Sequence, residues 1–285
     1  MTIKATIAGT GGYLPEKILT NKDLESMVDT TDEWIEQRSG IKQRHIAAEG
    51  QTTADLAIEA GRQAIENAGL KPEDIDTIIV ATTTPDRTFP SVAVKVQAEL
   101  GCPVGTAFDV QAVCTGFVYA LSTAEAFIQT GKTKRALVIG AEKMSSILNW
   151  EDRTTCVLFG DGAGAVVLEA KEETAEGIAG QGIHSTHLYA NGAQRDLLYT
   201  DGGPSTTGQS GHIVMHGREV FKYAVSYMAG AVKDALAANE IEASDVDWLV
   251  PHQANSRIIE ATAKKLGLSM DKVVLTVEKH ANTSA

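Results

Sequence analysis

The sequence predicts an α/β fold made of two related halves, and three observations carry that prediction. Short apolar segments of strand character alternate with Ala-rich segments of helical period, the order that builds a parallel sheet covered by helices. The run Pro72-Glu73-Asp74-Ile75-Asp76-Thr77-Ile78-Ile79-Val80 returns as Ala243-Ser244-Asp245-Val246-Asp247-Trp248-Leu249-Val250. Each copy follows a long helix and precedes one closing on Leu-Gly, at Leu100-Gly101 and Leu266-Gly267, in nearly constant register. Finally, 43% hydrophobic residues with 26 glycines and 7 prolines in 285 residues fit a compact mixed fold.

In order, Lys4–Ala8 reads as a strand ending at Gly9-Thr10-Gly11-Gly12. Tyr13-Leu14-Pro15 opens no helix after those glycines, which argues against a dinucleotide site. Helices are predicted over Lys22–Val28 and Asp32–Arg38, the second opened by a capping box in Thr30-Thr31-Asp32-Glu33. The helix begun by Gln51-Thr52-Thr53 runs to Asn67 and stops at Gly69, with Ala57, Gly61, Ala64 and Ala68 on one small-residue face. Strand Ile75–Ala81, helix Ser91–Leu100, strand Thr106–Val110, helix Phe117–Gln129 and strand Ala136–Gly140 follow.

Phe159-Gly160-Asp161-Gly162-Ala163-Gly164-Ala165 is expected to be a hairpin turn between strands Cys156–Phe159 and Ala165–Leu168, since a phosphate cradle needs a helix N-terminus. The charged connector Lys171–Glu176 divides the chain into halves, 1–172 and 173–285. Gly177–Gly217 reads as short strands and turns. Its histidines, His184, His187, His212 and His216, lack the spacing and third ligand of a metal site. Helix Arg218–Asn239, a strand ending at Val250 and a strand over Val273–Val277 complete the second half.

The net charge of −12 argues against a nucleic-acid binder. Three cysteines make no disulfide framework, Met1-Thr2-Ile3-Lys4 runs into a strand without a signal peptide, and no apolar run approaches membrane-spanning length. A soluble, reduced, cytosolic protein is expected.

Cys114 stands at the turn from strand Thr106–Val110 into helix Phe117–Gln129. A thiol there meets free backbone N–H groups and the positive end of a helix dipole, which favour thiolate near neutral pH. The competing reading is a small buried hydrophobe, the one that suits Cys102 and Cys156. The internal repeat maps the neighbourhoods of Thr82 onto His252 and of Cys114 onto Asn282. Ligands of parallel sheets collect at the carboxyl ends of strands, so packed halves would bring Cys114, His252 and Asn282 to one cleft. His252, in Pro251-His252-Gln253-Ala254-Asn255, is either a site residue or a structural turn; Asn282 is either a site residue or a cap, and His280 remains an alternative histidine. Cysteine, histidine and an amide suit thioester chemistry, with the last two donating to an oxygen that gains charge. No carboxylate partner for the histidine is evident.

At these residues the chain resembles the β-ketoacyl-acyl-carrier-protein synthase III family of the thiolase superfamily. The likeness spans the chain, from Gly9–Pro15, Thr31–Ile35 and Arg38–Ile41 to Asn282–Ala285, and is most specific at Val113–Phe117, Phe159–Ala165 and Pro251–Asn255. It implies a five-layer αβαβα fold of two duplicated halves, a homodimer, and decarboxylative condensation of a short acyl-CoA with malonyl-acyl carrier protein. It further implies Cys114 as the acylated nucleophile and His252 with Asn282 as the pair stabilising the enolate. Trp34, Arg38 and Arg153 would hold the nucleotide end of coenzyme A, a substrate rather than a resident cofactor, and Phe89 would shape the acyl pocket. Synthases for quinolones, polyketide starters or hydroxymethylglutaryl-CoA, and a non-catalytic partner protein, are the alternatives.

Two departures stand out. The family commonly has glycine before the asparagine, where this chain has His280-Ala281. The second half also stops three residues after Asn282, so the sequence is expected to be a fragment. Acyl carrier protein is acidic, so docking on a −12 chain needs gathered basic residues. Arg257, Lys264 and Lys265 share a helical stripe, and Lys222 matches a docking position of the family; an ordinary solvated face is the competing reading.

Overall fold

The computed structural model describes residues 2–173 and 180–285. Its centre is a five-stranded sheet in the order β1-β7-β6-β4-β5. These strands are β1 (Thr2–Tyr13), β4 (Thr77–Ala81), β5 (Thr106–Val110), β6 (Arg135–Lys143) and β7 (Asp161–Glu173). β4 runs parallel to β5 and β6, whereas β7 is antiparallel to both β6 and β1. Strand side chains alternate between faces. Ile78 and Val80 enter one core with helices α3 (Thr53–Asn67) and α4 (Val92–Leu100), while Ile79 and Ala81 enter another with α5 (Gly116–Gln129). Cover on both faces is why β4 is apolar at every position rather than at alternate ones.

β1 is longer than expected and passes straight through the glycines. A Cβ on Gly9 would lie 2.4 Å from Ala64 O, and one on Gly11 2.2 Å from Ala60 O. The glycines and the small face of α3 are thus one device for laying the helix backbone directly on the strand. At the other end of α3, Thr52 and Asp55 form a capping box.

Other expectations need correction. The first short helix, α1 (Asn21–Leu24), stops well before Val28, and α2 (Asp32–Ser39) is capped by Thr31, whose side-chain oxygen accepts from Trp34 N–H, not by a box from Thr30. The paired strands β2 (Lys17–Thr20) and β3 (Gln43–Ile46) frame these helices. The segment Phe159–Ala165 is not a hairpin: Cys156–Leu158 is a turn, and β7 starts at Asp161 and keeps its pairing through the glycines. Buried Asp161 holds that path by accepting from Ala47 N–H (2.8 Å), Ser145 N–H (2.8 Å) and Ser145 O–H (2.6 Å). Lys171–Glu173, expected as connector, extends β7; residues 174–176 of that expectation lie outside the described residues.

The second half contributes the antiparallel pair β8 (Leu198–Thr200) and β9 (Ile213–Met215) and the packed helices α6 (Gly217–Ala238) and α7 (Ser256–Leu266). The two expected strands near Val250 and Val273 meet only in a parallel bridge, Leu249 to Val273, and Val277 already begins the short helix α8 (Val277–His280). Trp248 (64%) and Val250 (73%) stand exposed beside that bridge. The repeat is nevertheless visible in detail. Lys71 N–H donates to Asp74 at 2.9 Å before β4, and Glu242 N–H donates to Asp245 at 3.3 Å before Leu249. α4 and α7 both end on a left-handed glycine, Gly101 and Gly267. A shared core of Leu24, Ile35, Ile41, Val157, Ile259, Val273 and Val277 joins the halves.

Candidate active site

Cys114 lies in a single 3₁₀ turn, Val113–Thr115, between the end of β5 and α5. Val113 has φ +49°, outside the range that a β-branched residue prefers, so the chain is bent sharply just before the cysteine. The expected easy ionisation does not follow. Burial pushes the thiol up to about 11; the Ser284 hydroxyl pulls it down, and the charge of Glu142 adds to the rise. Loss of solvation outweighs the helix end, so the thiol is protonated at rest. Cys102 and Cys156 are likewise pushed up to about 11 by burial.

Asn282 reaches this place by an unforeseen route. It forms a parallel bridge with Phe159: Asn282 N–H donates to Leu158 O (3.0 Å) and Gly160 N–H donates to Asn282 O (3.1 Å). The glycine-rich motif therefore supplies the edge on which Asn282 sits. A side chain on Gly160 would meet Arg44 Cβ and His280 O, both at 3.0 Å. Arg44, fully buried, donates to Leu19 O, Asn21 Oδ1 and Val157 O and so fixes the segment just before Phe159. Asn282 Oδ1 accepts from Ser284 N–H (2.9 Å), which assigns the amide orientation and leaves its NH₂ group free to donate elsewhere. Ser284 Oγ is 4.0 Å from Cys114 Sγ. Ala285 follows against Gly116 and Gly140.

His252 is tied to the same loop through its neighbour. Gln253 Nε2 donates to Val274 O (3.0 Å), and Gln253 Oε1 accepts from Thr276 N–H (2.8 Å) and Val277 N–H (3.0 Å), where α8 begins. None of the described residues bonds the His252 ring, and burial alone pushes it down to about 4, so the imidazole is neutral. The contacts join Cys114 to the Asn282 loop at Ser284, and His252 to the segment before that loop through Gln253. A neutral imidazole and an amide NH₂ group are chemically suited to donate hydrogen bonds to a developing oxyanion. His280, the alternative histidine, is half-buried, and burial with the charges of His45 and Lys279 lowers its pKa.

Trp34, Arg38 and Arg153 come together: the two guanidinium carbons lie 4.7 and 5.3 Å from the Trp34 ring centre, and Arg153 also donates to Asp29 O (2.8 Å). Aromatic and guanidinium planes of this kind stack on a nucleobase and pair with phosphates. Phe89 stands on the surface, 82% exposed, so this chain alone encloses no acyl pocket around it. Arg257, Lys264 and Lys265 are all exposed on α7, and Arg257 lies 5.8 Å over Phe221, beside exposed Lys222 of α6. Among the described residues no group of three His, Cys, Asp or Glu is placed to hold a metal, and no helix is long and apolar enough to cross a membrane. His184 and His187 are engaged locally, with Gly180 O and Ser185 Oγ.

Sequence reasoning missed Ser284, the Arg44 anchor and Glu142. Only Glu142 left a signal: a charged residue at the end of a continuous apolar strand.

Models of the 3-oxoacyl-[acyl-carrier-protein] synthase III family match residues 108–192, which include Cys114, and the C-terminal model of that family matches residues 236–285, which include His252 and Asn282. The chain is 60% identical to the β-ketoacyl-[acyl-carrier-protein] synthase III of Paramagnetospirillum magneticum over 100% of its own length and 88% of the relative's. It superposes on the crystal structure of the 3-oxoacyl-[acyl-carrier-protein] synthase III of Aquifex aeolicus with TM-score 0.91 at 47% identity, covering 99% and 87% of the two chains. A priming β-ketosynthase from the R1128 polyketide pathway aligns with TM-score 0.88 at 32% identity, over 98% and 84%.

Proposed function

Because the chain belongs to the β-ketoacyl-acyl-carrier-protein synthase III family, with its thiolase-like fold of duplicated halves, we propose that it condenses a short acyl-CoA, acetyl-CoA first, with malonyl-acyl carrier protein at Cys114. The observation that carries this reading is the meeting of Cys114 and the Asn282 loop across the two halves, at Ser284. In the first step the Cys114 sulfur attacks the thioester carbonyl. The bond to the coenzyme A sulfur breaks, and the thiol proton leaves with that sulfur. A thiol held near 11 makes proton transfer part of the attack rather than a step before it.

In the second step malonyl-acyl carrier protein loses carbon dioxide, and the bonding pair stays on the α-carbon as an enolate. His252 N–H and the Asn282 NH₂ group donate to its oxygen; His252 can do so because it is neutral. The enolate carbon attacks the acyl-cysteine carbonyl, the carbon–sulfur bond breaks, and the Cys114 thiolate takes up one proton. The product is a 3-oxoacyl-acyl carrier protein.

Trp34, Arg38 and Arg153 are assigned to the nucleotide end of coenzyme A. Lys222, Arg257, Lys264 and Lys265 are assigned to the acidic carrier protein. A homodimer, proposed from the family, gives exposed Phe89 the covering surface that a role in the acyl pocket requires. The halves 1–172 and 173–285 divide the labour between nucleophile and enolate pair, and the reaction is placed in the cytoplasm. The test is mass spectrometry of the protein after acetyl-CoA: one acetyl group on the Cys114 peptide is expected, and an adduct confined to Cys102 or Cys156 would overturn the assignment. A panel of acyl-CoAs separates this reading from a polyketide-priming role, for which the shared fold of the R1128 enzyme is the supporting observation.

A further inference from the structure

Glu142 is a fully buried carboxylate that takes part in no salt bridge among the described residues, and its charge contributes to the rise of the Cys114 thiol. It ends the apolar run of β6, and four donors from a single turn converge on it. Thr82 O–H (3.2 Å), Thr83 N–H (3.1 Å), Thr84 N–H (3.1 Å) and Thr84 O–H (2.6 Å) all reach Oε2, and Thr83 N–H is shared with Oε1. That turn is the carboxyl end of β4, and it touches the cysteine segment directly. Thr82 N–H donates to Val110 O (3.1 Å), Gln111 Nε2 donates to Thr83 Oγ1 (3.1 Å), and Gly116 lies against Ala81. Buried carboxylates that accept several backbone and hydroxyl donors order the segments that supply them.

We propose that Glu142 is a positioning residue for Cys114: its carboxylate orders the Thr82–Thr84 turn that holds the Gln111–Cys114 segment, and its ionisation sets how readily the thiol gives up its proton. Burial raises the Glu142 carboxyl to about 7 against the pull of its donors, so its charge changes within the working pH range. The surroundings leave Cys114 as its titrating neighbour. The β4 turn presents hydroxyls and amides, the residue opposite on β7 is Gly162, and Asp161 next to that is spent on Ala47 and Ser145. Lys143 turns its ammonium to Gln51 O at 2.7 Å.

This inference rests on the reading of Cys114 as the nucleophile only for its catalytic meaning, and alkylation tests it without that reading. Glu142→Gln removes the charge, and a carbonyl in the Oε2 position still accepts from Thr82, Thr83 and Thr84, with only the second arm of the shared Thr83 N–H lost at Oε1. Iodoacetamide labelling of Cys114, followed by mass spectrometry across pH 6–9.5, should be about threefold faster at pH 8 in this variant than in the unsubstituted chain. Thr83→Val, which removes the contact with Gln111 and keeps the carboxylate, should slow acetyl loading while leaving the pH dependence of labelling in place. The unsubstituted protein supplies an independent readout: its labelling profile should show a second inflection near pH 7. Identical profiles for a folded Glu142→Gln and the parent overturn the proposal, and so does a single-ionisation profile in the parent alone. If labelling behaves as expected while acetyl-CoA leaves Cys114 unmodified, the coupling stands and the condensing reading fails.

Discussion

Val113 and Ala281 share a backbone device: each immediately precedes a proposed site residue, and each has a positive φ, 49° and 60°. In both halves the chain is turned through a conformation unsuited to its side chain, where the Cys114 turn and the Asn282–Ser284 segment meet at Ser284. Strain of this kind persists only where surrounding structure over-determines it. Here the bridge to Phe159 and the packing of Ala285 on Gly116 and Gly140 do so.

Ala281 sits at φ 60°, ψ −164°, a region in which essentially only glycine rests. Ala281→Gly should release about 2 kcal/mol of strain. Losing one buried methyl costs about 0.8 kcal/mol, and the freer unfolded chain costs about 0.7 kcal/mol. The net expectation is about 0.5 kcal/mol of added stability, read from denaturant midpoints at unchanged slope. A loss above about 1 kcal/mol would show that the methyl matters more than the angle.

His252 makes stability depend on pH in a defined direction. Its folded value, about 4, lies below the usual 6.5, so the unfolded chain binds the proton that the native state refuses. This contribution is complete above pH 6.5 and drains away as pH falls toward 4, by up to about 3 kcal/mol. His252→Gln should flatten that part of the profile and slow malonyl decarboxylation about 100-fold while sparing acyl loading. Parallel loss of both half-reactions would instead make His252 the base that activates Cys114.

Gly160→Ala tests the bridge. The new methyl would press on buried Arg44 and on His280 O, costing about 1–3 kcal/mol. It should also shift the Asn282 edge, so decarboxylation should fall further than acetylation of Cys114. Equal effects on the two half-reactions would limit Gly160 to a packing role.

Arg257→Glu with Lys265→Glu should raise the KM for malonyl-acyl carrier protein about tenfold and weaken its salt dependence, with loading from acetyl-CoA unchanged. Unaltered carrier-protein kinetics across a salt titration would leave the stripe a solvated helix face.

Local chemistry was the legible part of this fold. Thr52, Gly69, Ser91 and Gly101 mark helix ends correctly because caps and left-handed stops are properties of a few adjacent residues. Cys114 was placed at its turn for the same reason. The Gly160–Gly164 run differs from its expected hairpin because Gly160 and Gly162 answer to distant atoms, Arg44, His280 and Thr283, which no local pattern reveals. The Cys114 ionisation was misjudged because burial is a tertiary property, and a helix end alone says nothing of solvent.

The bridge between Phe159 and Asn282 also separates scaffold from chemistry. Both of its bonds are main-chain, from Asn282 N–H to Leu158 O and from Gly160 N–H to Asn282 O, so exchanging the Asn282 side chain leaves every donor and acceptor of the bridge in place. The amide group and the edge that carries it are therefore independently replaceable parts.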